Sequence, residues 1–139
     1  MRSPVEVAQG CVGVSRYNFW EENSRPPSMV NCYTLIEWIF AQCGIFLPRS
    51  LIGQLYYGDP VAPDLWRPGD LLFIGDCRWG AYRDEQRAKN GVGHNGIFAG
   101  GGMVIHASSR KGTVVREGYQ EFLGYDKARF RGIYRVIEG

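Results

Sequence analysis

Three consecutive glycines, Gly100-Gly101-Gly102, stand between two apolar runs, His94-Asn-Gly-Ile-Phe-Ala99 and Met103-Val-Ile-His-Ala-Ser108. Such a pattern is a hairpin signal. The pairing also decides where the chain's only two histidines, His94 and His106, stand. With a three-residue glycine loop, Ala99 pairs with Met103, Gly96 faces His106 and His94 faces Ser108. The histidines are then diagonal neighbours on one face, with Cβ atoms roughly 7 Å apart or less. A two-residue loop would put them on opposite faces. A three-residue loop with glycine in the left-handed position is a common hairpin type.

The other elements are set out around this hairpin. Residues 32–43 form the clearest helix, because Leu35, Ile36, Ile39, Phe40 and Cys43 recur at the spacing of one helical face. Asn31 is a good N-cap, Gly44 a good stop, and Pro48 follows. Ser3-Pro4 predicts a short first helix carrying Val5, Ala8 and Val12, interrupted by Gly10 and Gly13. Residues 21–29 read as a loop, 50–57 as another short helix, and Pro60 and Pro63 as loop again. Trp66-Arg-Pro-Gly-Asp70 turns into a strand at 71–74. Residues 75–93, with Cys77, Trp79 and Tyr82, read as an extended loop. Strands are expected at 113–117 and 132–137. Helices followed by antiparallel strands make an α+β pattern, N-terminal helices packed on an antiparallel sheet.

At 139 residues, one domain spanning 1–139 is expected, large enough to bury a core without disulfide or metal staples. Apolar residues at 45% and charged residues at 22% exclude a disordered chain. The 19 glycines lack the collagen period and point to tight turns. No apolar run approaches 18 residues, so no membrane partner is expected. The start, Met1-Arg2-Ser3-Pro4-Val5-Glu6, lacks the apolar stretch of a secretory signal. That predicts a cytoplasmic protein, one exported by a dedicated secretion system, or an excised domain. The net charge of +2 is too weak and scattered for a nucleic-acid footprint. The cysteines Cys11, Cys32, Cys43 and Cys77 show no C-x-x-C pair, so neither a zinc ribbon nor disulfides are expected. Cys43 fits a small buried hydrophobe.

Cys32 does not. It opens the best helix, where exposed backbone N–H groups and the dipole favour a negative charge. That environment lowers a thiol pKa. A nearby histidine would activate it further, and a polar group beyond that histidine would fix its tautomer. Cys32, His94 and His106 can supply nucleophile, base and orienting residue, with no metal or cofactor.

Four motifs then carry a family resemblance. Asn31-Cys32-Tyr33-Thr34, with its apolar helix and Gly44-Ile-Phe-Leu-Pro-Arg49, resembles the nucleophile segment of NlpC-type cysteine peptidases, Asp-Cys-Ser-Gly and then Gly-Ile-x-Leu-Pro-Arg. Arg67-Pro-Gly-Asp-Leu-Leu-Phe73 resembles the family's Pro-Gly-Asp-Leu-Val-Phe. His94-Asn-Gly-Ile-Phe98 resembles His-Val-Gly-Ile-Tyr, and Met103-Val-Ile-His-Ala-Ser108 resembles Phe-Ile-His-Ala-Ser. The motifs cover residues 31–108 in order. The resemblance implies a papain-like NlpC-type fold of a mostly bacterial family that hydrolyses amide bonds in cell-wall peptides. It assigns the catalytic set to Cys32, His94 and His106. It implies a peptide substrate, probed by Tyr17 (in Ser15-Arg-Tyr-Asn-Phe19) and by Asn31, Tyr33 and Thr34.

Asn31 departs from the family's Asp, and Tyr33-Thr34 from Ser-Gly. In relatives this segment helps bind the substrate's free amine. Loss of the acid and gain of a ring predict weaker dependence on that amine. Two other readings stay open: the same machinery acting on a non-wall amide or thioester, or as an acyltransferase, and a degenerate domain that binds without cleaving. The segment 76–91 looks longer than the family's usual link and is expected to border the active-site cleft.

Overall fold

The computed structural model describes residues 2–75 and 82–136. Its first three helices begin where side chains can accept from open backbone donors. Helix α1 (Pro4–Gln9) is capped by Ser3, whose hydroxyl accepts from the Glu6 N–H while the Ser3 N–H donates to the Glu6 carboxylate. Helix α2 (Cys32–Ala41) follows Asn31, and α3 (Leu51–Tyr57) follows Ser50. Helix α2 ends two residues earlier than its periodicity predicts. Residues 42–44 continue it only as a turn, finished by Gly44 at φ +81°, a conformation glycine adopts without strain. A fourth helix, α4 (Tyr119–Phe122), has only four residues, too few for a helical period to show in the sequence.

Among the described residues, eight strands form one sheet: β1 (Arg16–Tyr17), β2 (Met29–Val30), β3 (Asp59–Val61), β4 (Leu71–Ile74), β5 (His94–Gly100), β6 (Met103–Ser108), β7 (Thr113–Gly118) and β8 (Phe130–Arg135). Their order is β2-β1-β7-β6-β5-β4-β8-β3. The sequence assigns no element to β1, and β2 and β3 fall at the expected loops of 21–29 and Pro60, because two or three residues are too few to show alternation. Pro60 lies in β3 at the sheet edge, where a missing N–H does little harm. The sheet is antiparallel except at β1–β2, which run parallel through Arg16↔Met29 and Tyr17↔Val30. Glu21–Asn23, inside the expected loop, forms a 3₁₀ turn. Strand β8 begins at Phe130 rather than 132; residue 137 of the expected strand, like Cys77 and Trp79, lies outside the described residues.

The central hairpin differs from expectation in one detail with a large consequence. Gly100, not Ala99, pairs with Met103, so the connection is the two residues Gly101 and Gly102. A two-residue loop alone would separate the histidines. A bulge between Phe98 and Gly100 shifts the strand back by one, and Phe98↔Val104 and Ile97↔Ile105 restore the expected register. Gly100, Gly101 and Gly102 all have positive φ, which is why this turn needs glycines.

The sheet buries both faces. On one, Ile97, Ile105 and Ala107 pack with Leu35, Ile36, Ile39 and Phe40 of α2. On the other, Leu72, Phe98, Val104 and Ile133 pack with Phe122 and Leu123 at α4. Two polar anchors lie within this packing. Asp70, 2% exposed, accepts two bonds from the Arg135 guanidinium and one from the Arg67 N–H. The fully buried Gln54 of α3 donates to the carbonyls of Tyr33 (2.9 Å) and Pro48 (3.0 Å) and accepts from Asn95 Nδ2 (2.8 Å). It therefore ties the start of α2 to the start of β5.

Candidate active site

Cys32 is the first residue of α2 and is 8% exposed. The turn before it is held by a reciprocal cap. Asn31 Oδ1 accepts from the Thr34 N–H at 2.9 Å, and Thr34 Oγ1 accepts from the Asn31 N–H at 2.8 Å. Asn31 Nδ2 also donates to the Phe19 carbonyl, and Ser24 donates to the Thr34 hydroxyl. These bonds fix the backbone on both sides of the cysteine. The other described cysteines, Cys11 and Cys43, lie in the core, and no described cysteine is in a disulfide. Burial pushes the Cys11 thiol pKa up.

The two histidines meet on one face. His94 Nε2 lies 2.8 Å from His106 Nδ1, and the rings stand edge to face at 81°. Gly96 sits between them on β5, where a Cβ would come within 2.7 Å of Val104 and 3.1 Å of both His106 and Phe122. Its hydrogen leaves room for the pair. Phe122 of α4 backs both rings, with centroids 4.8 Å from His106 and 5.6 Å from His94. Burial first, then the electrostatic influence of the neighbouring His106 and Arg129, holds the His94 pKa well below the ordinary histidine value. The His94 ring is therefore uncharged at neutral pH.

A further acid joins the chain. His106 Nε2 lies 2.6 Å from Glu117 Oε1, and Lys111 Nζ lies 3.4 Å from Glu117 Oε2. The His106 hydrogen bond holds the Glu117 carboxyl below its usual pKa. The sequence reading placed Glu117 in a strand without a role. The four residues between Ser108 and Thr113 carry the missing signal. They set Ser108 opposite Thr113, hence Val104 opposite Glu117 and Glu117 diagonal to His106.

Cys32 and His94 line one cleft of about 240 Å³, together with Tyr17, Phe19, Trp20, Glu21, Glu22, Asn31, Tyr33 and Tyr82. Of the residues expected to contact substrate, Tyr17, Asn31 and Tyr33 border this cleft. Thr34 does not: it is fully buried, and its hydroxyl serves the helix cap. Tyr33 is pushed up to about 12 by burial and by a hydrogen bond to Glu21. It thus stays a neutral donor. Tyr82 brings the described part of segment 76–91 to the cleft. Behind it that part is tied down, because Arg87 donates to the carbonyls of Leu55 and Gly58, and Ala88 is buried.

A family model described as "NlpC/P60 family" matches residues 15–131. The gamma-DL-glutamyl hydrolase of Bacillus subtilis is 34% identical over 135 residues, covering 94% of this chain and 28% of that protein. The chain thus spans little more than a quarter of this curated relative. Among solved structures, the peptidoglycan hydrolase RipB of Mycobacterium tuberculosis superposes with a TM-score of 0.69 at 22% identity, over 98% of this chain and 64% of that one. RipD of the same organism, described as a non-catalytic domain protein adapted to peptidoglycan binding, gives 0.67 at 18% identity, over 99% of this chain and 100% of that one.

Proposed function

Because the chain belongs to the NlpC/P60 family, we propose that it is a cysteine hydrolase that cleaves an amide bond in a cell-wall peptide. The observation that carries this reading is one cleft holding both Cys32, at a helix start, and His94, whose Nε2 is engaged by His106. His94 takes the thiol proton, and the sulfur attacks the amide carbonyl carbon. Backbone N–H groups at the start of α2, including that of Cys32, stabilise the oxyanion. The C–N bond breaks as His94 returns the proton to the leaving amine. Water, deprotonated by His94, then attacks the thioester, and the C–S bond breaks to release the acid and restore Cys32.

The test is digestion of purified wall peptides with products read by mass spectrometry. Wild type should cleave, and Cys32→Ala should not while keeping its fold, because the substitution removes a single sulfur atom from a buried side chain. Activity retained in Cys32→Ala would refute the assignment.

A second reading, binding without cleavage, is favoured by the engagement of both Asn31 side-chain atoms in structure although it borders the cleft, by the burial of Thr34 in the helix cap, and by the likeness to RipD. Iodoacetamide separates the two. An activated Cys32 reacts below pH 7 while Cys43 stays inert; no reaction at Cys32 favours binding alone.

A further inference from the structure

We infer that Glu117 is a positioning residue that sets the tautomers of both histidines and so leaves His94 Nδ1 free of a proton to act as the base. The inference rests on the hydrolase reading for its purpose, but the geometry behind it does not. An ionised carboxylate only accepts hydrogen bonds. At 2.6 Å from His106 Nε2, Glu117 therefore requires the proton on that nitrogen. With that single proton on Nε2, the His106 ring is bare at Nδ1. The 2.8 Å bond to His94 closes only if His94 Nε2 carries its proton. A neutral imidazole holds one such proton, so His94 Nδ1 is left with a lone pair.

Without Glu117 the pair has a second way to satisfy the same bond. His106 Nδ1 would donate to a bare His94 Nε2, and His94 would be protonated at Nδ1. That state cannot accept the thiol proton. The two chains of hydrogen bonds are equivalent by distance and opposite in function. The carboxylate is what makes them unequal, and burial strengthens its choice: His106 is 6% exposed and the Glu117 side chain 12% exposed. Charged neighbours around the pair come from several elements: Arg110 and Lys111 from the β6–β7 turn, Glu121 from α4 and Arg129 preceding β8. Of these, Lys111 bonds the second carboxylate oxygen, which keeps Glu117 ionised and oriented.

The experiment compares Glu117→Ala and Glu117→Gln with wild type by two readouts. The first is nitrogen NMR of histidine-labelled protein, which needs no substrate. Wild type should show the Nε2-protonated tautomer at both histidines, and Glu117→Ala a mixture at His94. The second is kinetics on a wall peptide. Glu117→Ala should lower kcat by roughly tenfold to a hundredfold, the range seen when a partner one step removed from a reactive group is lost, with KM within about twofold. Glu117→Gln should recover part of that loss, because its carbonyl oxygen can still accept from His106.

A wild-type His94 protonated at Nδ1, or an unchanged His94 tautomer in a folded Glu117→Ala protein, would overturn the inference. If the alanine variant does not fold, Glu117→Leu, which fills the space but offers no acceptor, decides the matter: a His94 tautomer identical to wild type would overturn it. Failure of the wild-type protein to cleave any wall peptide would instead count against the hydrolase reading, with the tautomers still judging Glu117.

Discussion

Replacing Gln54 by Leu tests how the cleft is assembled. The side chain is fully buried and makes three bonds, to the Tyr33 and Pro48 carbonyls and to Asn95 Nδ2. Leucine fills nearly the same space, so a cavity contributes little. The cost comes from the groups left behind. Pro48 is exposed and its carbonyl recovers water. Asn95 is 1% exposed, its Oδ1 already lacks a partner among the described residues, and its Nδ2 would lose Gln54. A stranded buried polar group costs about 1–3 kcal/mol. One full penalty at Asn95 and a partial one at Tyr33 give about 2–4 kcal/mol for Gln54→Leu. Adding Asn95→Leu removes the stranded amide. The double variant should therefore be more stable than the sum of the two single losses predicts, by about 1–2 kcal/mol. Urea unfolding of wild type, both single variants and the double variant measures this cycle. The same substitution loosens the link between the residues beside Cys32 and His94, so kcat should fall about tenfold. A Gln54→Leu stability within about 0.5 kcal/mol of wild type, below the cost of even one orphaned group, would refute the reasoning. So would strict additivity in the cycle.

Acid should destabilise the fold in two steps. His94 stays neutral in the folded protein well below the 6.5 at which an ordinary histidine titrates, so the unfolded chain binds more protons below that pH and stability falls as pH drops through it. Glu117, held below its ordinary 4.5, adds stability that is lost only as pH falls beneath that value. Urea unfolding from pH 7.5 to 4 should show the first limb in wild type and lose it in His94→Gln; an unchanged limb would place the titrating group elsewhere. Substrate amine recognition is the last expectation. Both polar atoms of Asn31 are engaged in structure, and the cleft's own carboxylates, Glu21 and Glu22, are exposed, where an ion pair contributes about 0–1 kcal/mol. Acetylating the N-terminus of a wall peptide should therefore lower kcat/KM by less than about tenfold, the equivalent of 1.4 kcal/mol; a larger loss, measured on matched peptides, would mean that the amine is recognised through charge.

Much of this protein was legible in one dimension. Helix α2 declared itself because its apolar period, its Asn31 cap and its Gly44 stop are all local. The NlpC-type α+β fold followed from four motifs in order, and the fold agrees. The pairing of the histidines was also legible, but through the wrong loop. The expected three-residue turn and the observed two-residue turn with a bulge give the same register beyond Phe98. A bulge is set by sheet twist and neighbouring strands, which a hairpin's own sequence does not contain. Strands β1, β2 and β3 were invisible because two or three residues carry no period; β1 and β3 pair with the longer β7 and β8, and β2 joins the sheet only through β1. The cleft's supporting residues were hidden for a related reason. Gln54 lies 41 positions from Asn95, and Phe122 backs rings on two other strands. Local chemistry named the cysteine and the histidines. The sheet's long-range register brought Glu117 to His106, because a diagonal contact between strands depends on where the chain turns and not on what the residue is.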